Sequence, residues 1–357
     1  MRIAVLWTGL SGYLNACLRA LAAQPEVSLF VSHMPVVSEA PFDESEFAWF
    51  PESFVWKSAA DSPALQQRLE EFHPDLILVA GWHEPVYRPV LRRWRGRAFR
   101  LMAMDNAWRG SLKQWIGAAV APWHVLPLAD AAFVPGTRQQ RFAEHLGFRK
   151  IYHGSLSCDY DTFHQIDLDR RSHGLNMPQA FIYVGRLAEY KGIRTMLAAY
   201  ARYRAQSPHP WPLIVTGAGP LASLFTQEAL PEGVDFRGFT LPRNLPALLR
   251  EAGCQLIPSR FEPWGLVAHE AAAAGLPIVA TTAVGASDHL IAEGKNGFLV
   301  PPDDSAALAG AMLRVAALSP QQIAEFSDYS TRLAAERTPR LWVNQLMTLA
   351  EAWIKQA

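Results

Sequence analysis

Short, continuous apolar runs separated by helix-patterned stretches mark the whole chain. RIAVLW, VSLFVS, DLILVAG, RLMAMD and AAFVPG occupy the first part; FIYVGR, PLIVTG, VDFRG, CQLIPS and PIVAT follow in the second. Runs that do not alternate with polar residues belong to strands buried on both faces, and their alternation with helices predicts parallel sheets of the α/β class. Two such series predict two doubly wound, Rossmann-like domains facing a cleft. Strand and helix signals both lapse between about Gly154 and Pro178, which predicts the linker there. In open α/β sheets ligands bind beyond the carboxyl ends of the strands, so the loops after these runs are where chemistry is expected.

One such loop opens the stretch SRFEPWGLVAHEAAAAGLPIVAT, Ser259 to Thr281. Glu262 and Pro263 suit a helix start, and Gly275 with Pro277 suits its stop, so a helix with Pro263 in its first turn is predicted. Glu270 has Leu266 and Val267 at i−4 and i−3, apolar neighbours rather than a cationic partner. A carboxylate in that position calls for a ligand or a buried donor. Eight residues of helix rise about 12 Å, farther than the roughly 5 to 9.5 Å of a glycosidase carboxylate pair. Glu262 and Glu270 therefore suit the two ends of an extended ligand, with the amides of Gly265, Leu266 and Val267 facing an anion between them. The run Ala271–Ala274 would let a backbone or ligand lie close, although alanine is also the best helix former.

A second loop, VGRLAEYKG, turns at Gly185 and places Arg186 and Lys191 just before a helix starting near Gly192. Cations at a helix N-terminus oppose the macrodipole, so the arrangement makes sense with a phosphate bound there. Gly9 and Gly12 occupy the first strand-to-helix junction, where backbone can approach a ligand.

Composition narrows the functional classes. The chain has 357 residues, long enough for two domains, and its 33 Lys plus Arg balance 33 Asp plus Glu. Zero formal charge argues against a general nucleic-acid binder. Cys17, Cys158 and Cys254 match neither a disulfide framework nor a zinc pattern, which implies a reducing cytoplasmic setting. No apolar segment is long enough and unbroken enough to span a membrane or to serve as a signal sequence.

Glu262 and Glu270 within EPWGLVAHEAAAAGLPIVAT, with VGRLAEYKG upstream and GKNGFLVPPDD downstream, resemble the retaining glycosyltransferases of family 4, which have the GT-B fold. The resemblance runs from about Phe181 to about Leu318. It implies a nucleotide-sugar donor as substrate, no cofactor and no metal. Arg186 and Lys191 are then expected at the diphosphate, Glu270 at the ribose hydroxyls and Glu262 at hydroxyls of the transferred sugar. It also implies domains over 1–160 and 161–338, with a terminal helix over 339–357 crossing back to the first domain. No protein nucleophile is expected, since the leaving phosphate helps to deprotonate the acceptor. A sugar-nucleotide epimerase or phosphorylase on the same fold, or a member that binds without turnover, remains compatible with the same residues.

The first half resembles the family far less. Where members commonly carry a histidine beside an aspartate, this chain has Met104 before Asp105, leaving Asp105 or His83 to take the catalytic place. The arginines 88, 92, 93, 95 and 97, with Arg100, surround Trp94 and suggest contact with an anionic membrane or an acidic glycan acceptor. Two other motifs are expected to be structural. Gly217, Gly219 and Ala222 spell a dinucleotide fingerprint with Asp235 downstream, but after the second strand of the domain rather than its first. Asp159 and Asp161 have a metal-chelating spacing but fall in the expected linker.

Overall fold

The computed structural model describes residues 1–35, 44–226 and 230–356. They form two units, Met1–Cys158 with Arg337–Ala357, and Asp159–Glu336. In the first, seven parallel strands lie in the order β3-β2-β1-β4-β5-β6-β7. They are β1 Arg2–Leu6, β2 Ser28–His33, β3 Ser53–Val55, β4 Leu76–Ala80, β5 Phe99–Ala103, β6 Ala131–Val134 and β7 Ile151–His153. In the second, six parallel strands lie in the order β10-β9-β8-β11-β12-β13. They are β8 Phe181–Val184, β9 Leu213–Thr216, β10 Val234–Phe236, β11 Cys254–Ile257, β12 Ile278–Thr281 and β13 Gly297–Val300.

Two-sided burial accounts for the unalternating runs. Ile3 and Val5 of β1 pack into one layer with Leu14, Leu18 and Leu346, while Ala4 and Leu6 pack into the other with Leu65, Leu69 and Val90. Leu346 comes from the last helix, Pro339–Ile354, whose Trp342, Val343 and Leu349 join the same layer. The strands that the apolar runs did not announce are β3, β7 and β13. The first two are three-residue edge strands, and β13 begins at Gly297, where an added Cβ would lie 2.0 Å from the Ile278 carbonyl oxygen.

The stretch expected as a linker is largely a helix, Tyr160–Ser172, and belongs to the second unit. Its pattern was hidden because one inward position is charged: Asp167 is buried beside Phe163 and Ile166, and Arg171 Nε donates to it at 2.6 Å. The units divide after Cys158 and after Glu336, close to the ends of this helix and of Pro320–Ala335.

The arginine group departs from its expected surface role. Arg100 is 1% exposed and bidentate to Asp130, with Nη2 to Oδ1 at 2.7 Å and Nε to Oδ2 at 3.1 Å. Its Nη1 donates to the carbonyls of Leu91 and Pro127, so a planar fork of donors is matched inside the fold. Trp94 is buried rather than presented outward. Arg93 and Arg97 both reach Glu70, whose carboxyl is pushed down to about 2, chiefly by Arg97. Arg88, Arg92 and Arg95 are what remains of the expected basic face.

Candidate functional site

The strand order of the second unit changes direction between β8 and β11, and in open α/β sheets the carboxyl ends of the strands at such a reversal are where ligands bind. The loops leaving these two strands are the ones that the sequence singled out. They are joined by backbone: the amides of Arg260 and Phe261 both donate to the Tyr190 carbonyl, at 2.8 and 3.3 Å. Gly192 lies so close to the second loop that a Cβ would sit 2.0 Å from the Pro258 carbonyl oxygen, and its φ is +71°. Only glycine permits that approach.

This junction brings Lys191 and Glu262 together, Nζ donating directly to Oε2. Both side chains are largely covered, at 18% and 12% exposure, so the pair is shielded from bulk water while a ligand could still reach it. Glu262 is outside the helix: its carbonyl accepts from the Gly285 amide and it bridges to Val284 beside β12. The helix is shorter than expected, Leu266–Ala273, with Gly265 left-handed at its N-cap and Pro263 in the preceding turn. A Cβ on Gly265 would meet Glu262 Cγ at 3.0 Å and Val284 Cγ1 at 3.1 Å. The amides of Leu266 and Val267 begin the helix and have no acceptor within it, whereas that of Ala268 returns to the Gly265 carbonyl.

Glu270 lies one turn farther along, on the face of Leu266 and Val267. Among the described residues no donor reaches its carboxyl, and burial alone pushes its pKa up from 4.5 to about 7. The alanines have a different role from the one expected of them. Ala271, Ala272, Ala273 and Ala274 are fully buried against protein, and the carbonyls of Ala273 and Ala274 accept from His164 and Arg170. Gly275 stops the helix at φ +71°.

Gly185 and exposed Arg186 stand at the start of the first loop. Tyr183 holds this turn, its hydroxyl donating to the Arg186 carbonyl at 2.9 Å. Burial and the nearby Glu262 keep that phenol protonated. Sequence reasoning missed Tyr183 because a tyrosine in an apolar strand reads as core. The dinucleotide-like glycines are consumed by packing: a Cβ on Gly217 would lie 1.8 Å from the Gly185 carbonyl oxygen, and one on Gly219 2.5 Å from that of Leu187. Asp235 pairs with Arg237 at 2.7 Å. Asp159 Oδ2 accepts from the Thr162 hydroxyl at 2.8 Å at the start of the Tyr160–Ser172 helix, and Asp161 lies in its first turn.

Gly12 and Asp105 belong to the other unit. There the strand order reverses between β1 and β4, and a pocket of about 170 Å³ opens at the strand ends, lined by Trp7, Tyr13, His83, Met104 and Asp105 among others. Gly12 begins the helix Gly12–Ala22 beside Tyr13, whose hydroxyl is pushed up to about 12 by burial. Tyr13 is the residue at this pocket that sequence reasoning overlooked.

Residues 178–317 match the family model described as Glycosyl transferases group 1. Glycogen synthase of Mycobacterium tuberculosis is 37% identical over 142 residues, which cover 39% of this chain and 34% of that protein. D-inositol 3-phosphate glycosyltransferase of Corynebacterium urealyticum is 31% identical over 195 residues, covering 52% and 45%. The chain thus spans less than half the length of these curated relatives. Similarity of structure extends over the whole chain: HepE of Anabaena, in complex with UDP, aligns with a TM-score of 0.70 at 20% identity, covering 98% of this chain and 99% of that one. Sucrose-phosphate synthase from Thermosynechococcus elongatus aligns with a TM-score of 0.74 at 19% identity, covering all of both chains. The two parallel-sheet units have the GT-B fold of those glycosyltransferase structures, and residues 178–317 are similar to the Glycosyl transferases group 1 model.

Proposed function

We propose that the protein is a retaining glycosyltransferase of the family 4 type, taking a nucleotide-sugar donor in its Asp159–Glu336 unit. The observation that carries this reading is the convergence of Lys191, Glu262, the Leu266 and Val267 amides and an unpartnered Glu270 carboxyl at one strand-order reversal. Arg186, Lys191 and the helix amides hold the diphosphate; Glu270 accepts from the ribose hydroxyls; Glu262 accepts from hydroxyls of the transferred sugar. The UDP and UDP-glucose bound by HepE are donors and products of the required kind.

The chemistry asked of these residues is electrostatic. As the bond from the anomeric carbon to the diphosphate breaks, negative charge grows on the leaving oxygen, and fixed cations with aligned amides stabilise it without reorganising. The departing phosphate takes the acceptor's proton on the face from which it leaves, which keeps the anomeric configuration. The pocket of Tyr13, His83 and Asp105 is the acceptor side, with Asp105 in the catalytic place.

The test separates the two carboxylates. Calorimetry with UDP is expected to show weakened binding for Glu270→Ala and nearly intact binding for Glu262→Ala, because the latter removes a sugar contact and releases Lys191 to phosphate. Equal losses in both variants would defeat this division of roles. Product analysis by NMR then decides the anomeric outcome.

A further inference from the structure

The helix Leu112–His124 of the first unit is amphipathic in the wrong sense for a core element. Leu112, Trp115, Ile116, Val120 and Trp123 are 77%, 55%, 57%, 39% and 70% exposed, while Ala121 is its buried residue. At 100° per residue these five side chains and Ala119 fall within an arc of about 140°, and Gln114, Gly117, Ala118 and Ala121 take the opposite side. The helix therefore turns its small residues to the protein and its large apolar ones outward. Trp115 is partly engaged, with its ring edge-on to Trp108 at 5.1 Å and near His145. Leu112, Ile116 and Trp123 form the open part of the stripe.

Exposed apolar surface of this size marks a partner or a membrane, and charge decides between them. From Pro85 to Lys150 there are twelve Lys and Arg against three Asp and Glu, on a chain whose total charge is zero. Asp130 and Glu70 occupy Arg100, Arg93 and Arg97, but Lys113 on the helix and Arg141 on the adjacent Thr137–Leu146 helix still outnumber Glu144. A second copy meeting this face across a two-fold axis would bring like charge to like. We propose that Leu112–His124 is an interfacial anchor that lies in the surface of an anionic bilayer, with Leu112, Ile116 and Trp123 in the acyl boundary and the surrounding cations at the headgroups. Among the described residues no helix is long and apolar enough to cross a membrane, which suits an anchor lying in the plane.

The experiment is co-sedimentation of the full chain with phosphatidylcholine vesicles, with and without phosphatidylglycerol, at low and high salt and without donor, so that the outcome is independent of the transfer reading. Binding is expected with phosphatidylglycerol, weakening as salt is raised. Ile116→Ser and Trp123→Ser are each expected to weaken partitioning about tenfold. Because both side chains are exposed, each variant should keep the wild-type melting temperature and UDP binding. Equal binding to neutral vesicles, or unaltered binding by the melt-tested variants, overturns the proposal. So does a wild-type dimer in analytical ultracentrifugation that either variant dissolves, since a second copy would then cover the face.

Discussion

Replacing Glu270 with glutamine is expected to make the protein more stable and less able to bind nucleotide. Burial raises the carboxyl from 4.5 to about 7, and among the described residues no donor compensates. Below about 4.5 the carboxyl is neutral in both folded and unfolded chains and costs nothing. Between 4.5 and 7 the unfolded chain releases a proton that the folded chain retains, so stability falls as pH rises. Above 7 both are ionised and the full penalty remains, about 3 kcal/mol for a shift of this size. Glu270→Gln removes the charge, so at pH 8 it should raise Tm by roughly 6 to 12 °C for a unit of this size, and by little at pH 4.5. Ribose hydroxyls donating to the carboxylate favour its charged form, so UDP binding to the native protein near pH 7 should release protons. That release is read from calorimetry in buffers of different ionisation enthalpy, and it should vanish in Glu270→Gln together with most of the affinity. A variant stabilised equally at both pH values, or binding UDP as well as the native protein, would refute this account of Glu270.

Lys191→Ala is expected to lower kcat/KM by tenfold or more, since a charge-assisted contact to phosphate contributes about 1.5 to 3 kcal/mol. A double-mutant cycle with Glu262→Gln should show coupling in the unliganded protein's stability; strict additivity would mean that the observed pair contributes nothing. Gly192→Ala should destabilise by at least about 2 kcal/mol, because the residue is left-handed and the new Cβ has no room beside Pro258. In urea unfolding Gly310→Ala, within the Ser305–Ala316 helix and with open space at its Cβ, should instead gain about 0.5 to 1 kcal/mol; a reversal of the two would contradict the packing described. Transfer should persist in excess EDTA, since Arg186 and Lys191 supply the charge that a metal otherwise would. Loss with EDTA and recovery with magnesium would overturn that part of the mechanism.

The apolar runs alone determined two parallel sheets, because strands buried on both faces cannot alternate. Their ends determined which loops follow strands, and two of those loops held Arg186 with Lys191 and Glu262 with Glu270; that the strands before them are neighbours was decided by the fold. Polar residues that the fold satisfies internally were illegible. Arg100 reads as surface charge until Asp130 and two carbonyls surround it, and Asp167 made a packed helix look like a linker. The glycines were ambiguous for a similar reason: Gly217 and Gly219 satisfy a phosphate-binding pattern, yet their missing side chains accommodate neighbouring carbonyls. Hydrophobicity carries no direction, so nothing in the sequence marked the large apolar residues of Leu112–His124 as facing outward. Tertiary structure alone decided which loop amides meet the Tyr190 carbonyl, which cation Glu262 takes, and that among the described residues no donor reaches Glu270. Such pairings join residues about seventy positions apart in the chain, and their spacing in sequence is set by the intervening strands and helices rather than by the contact itself.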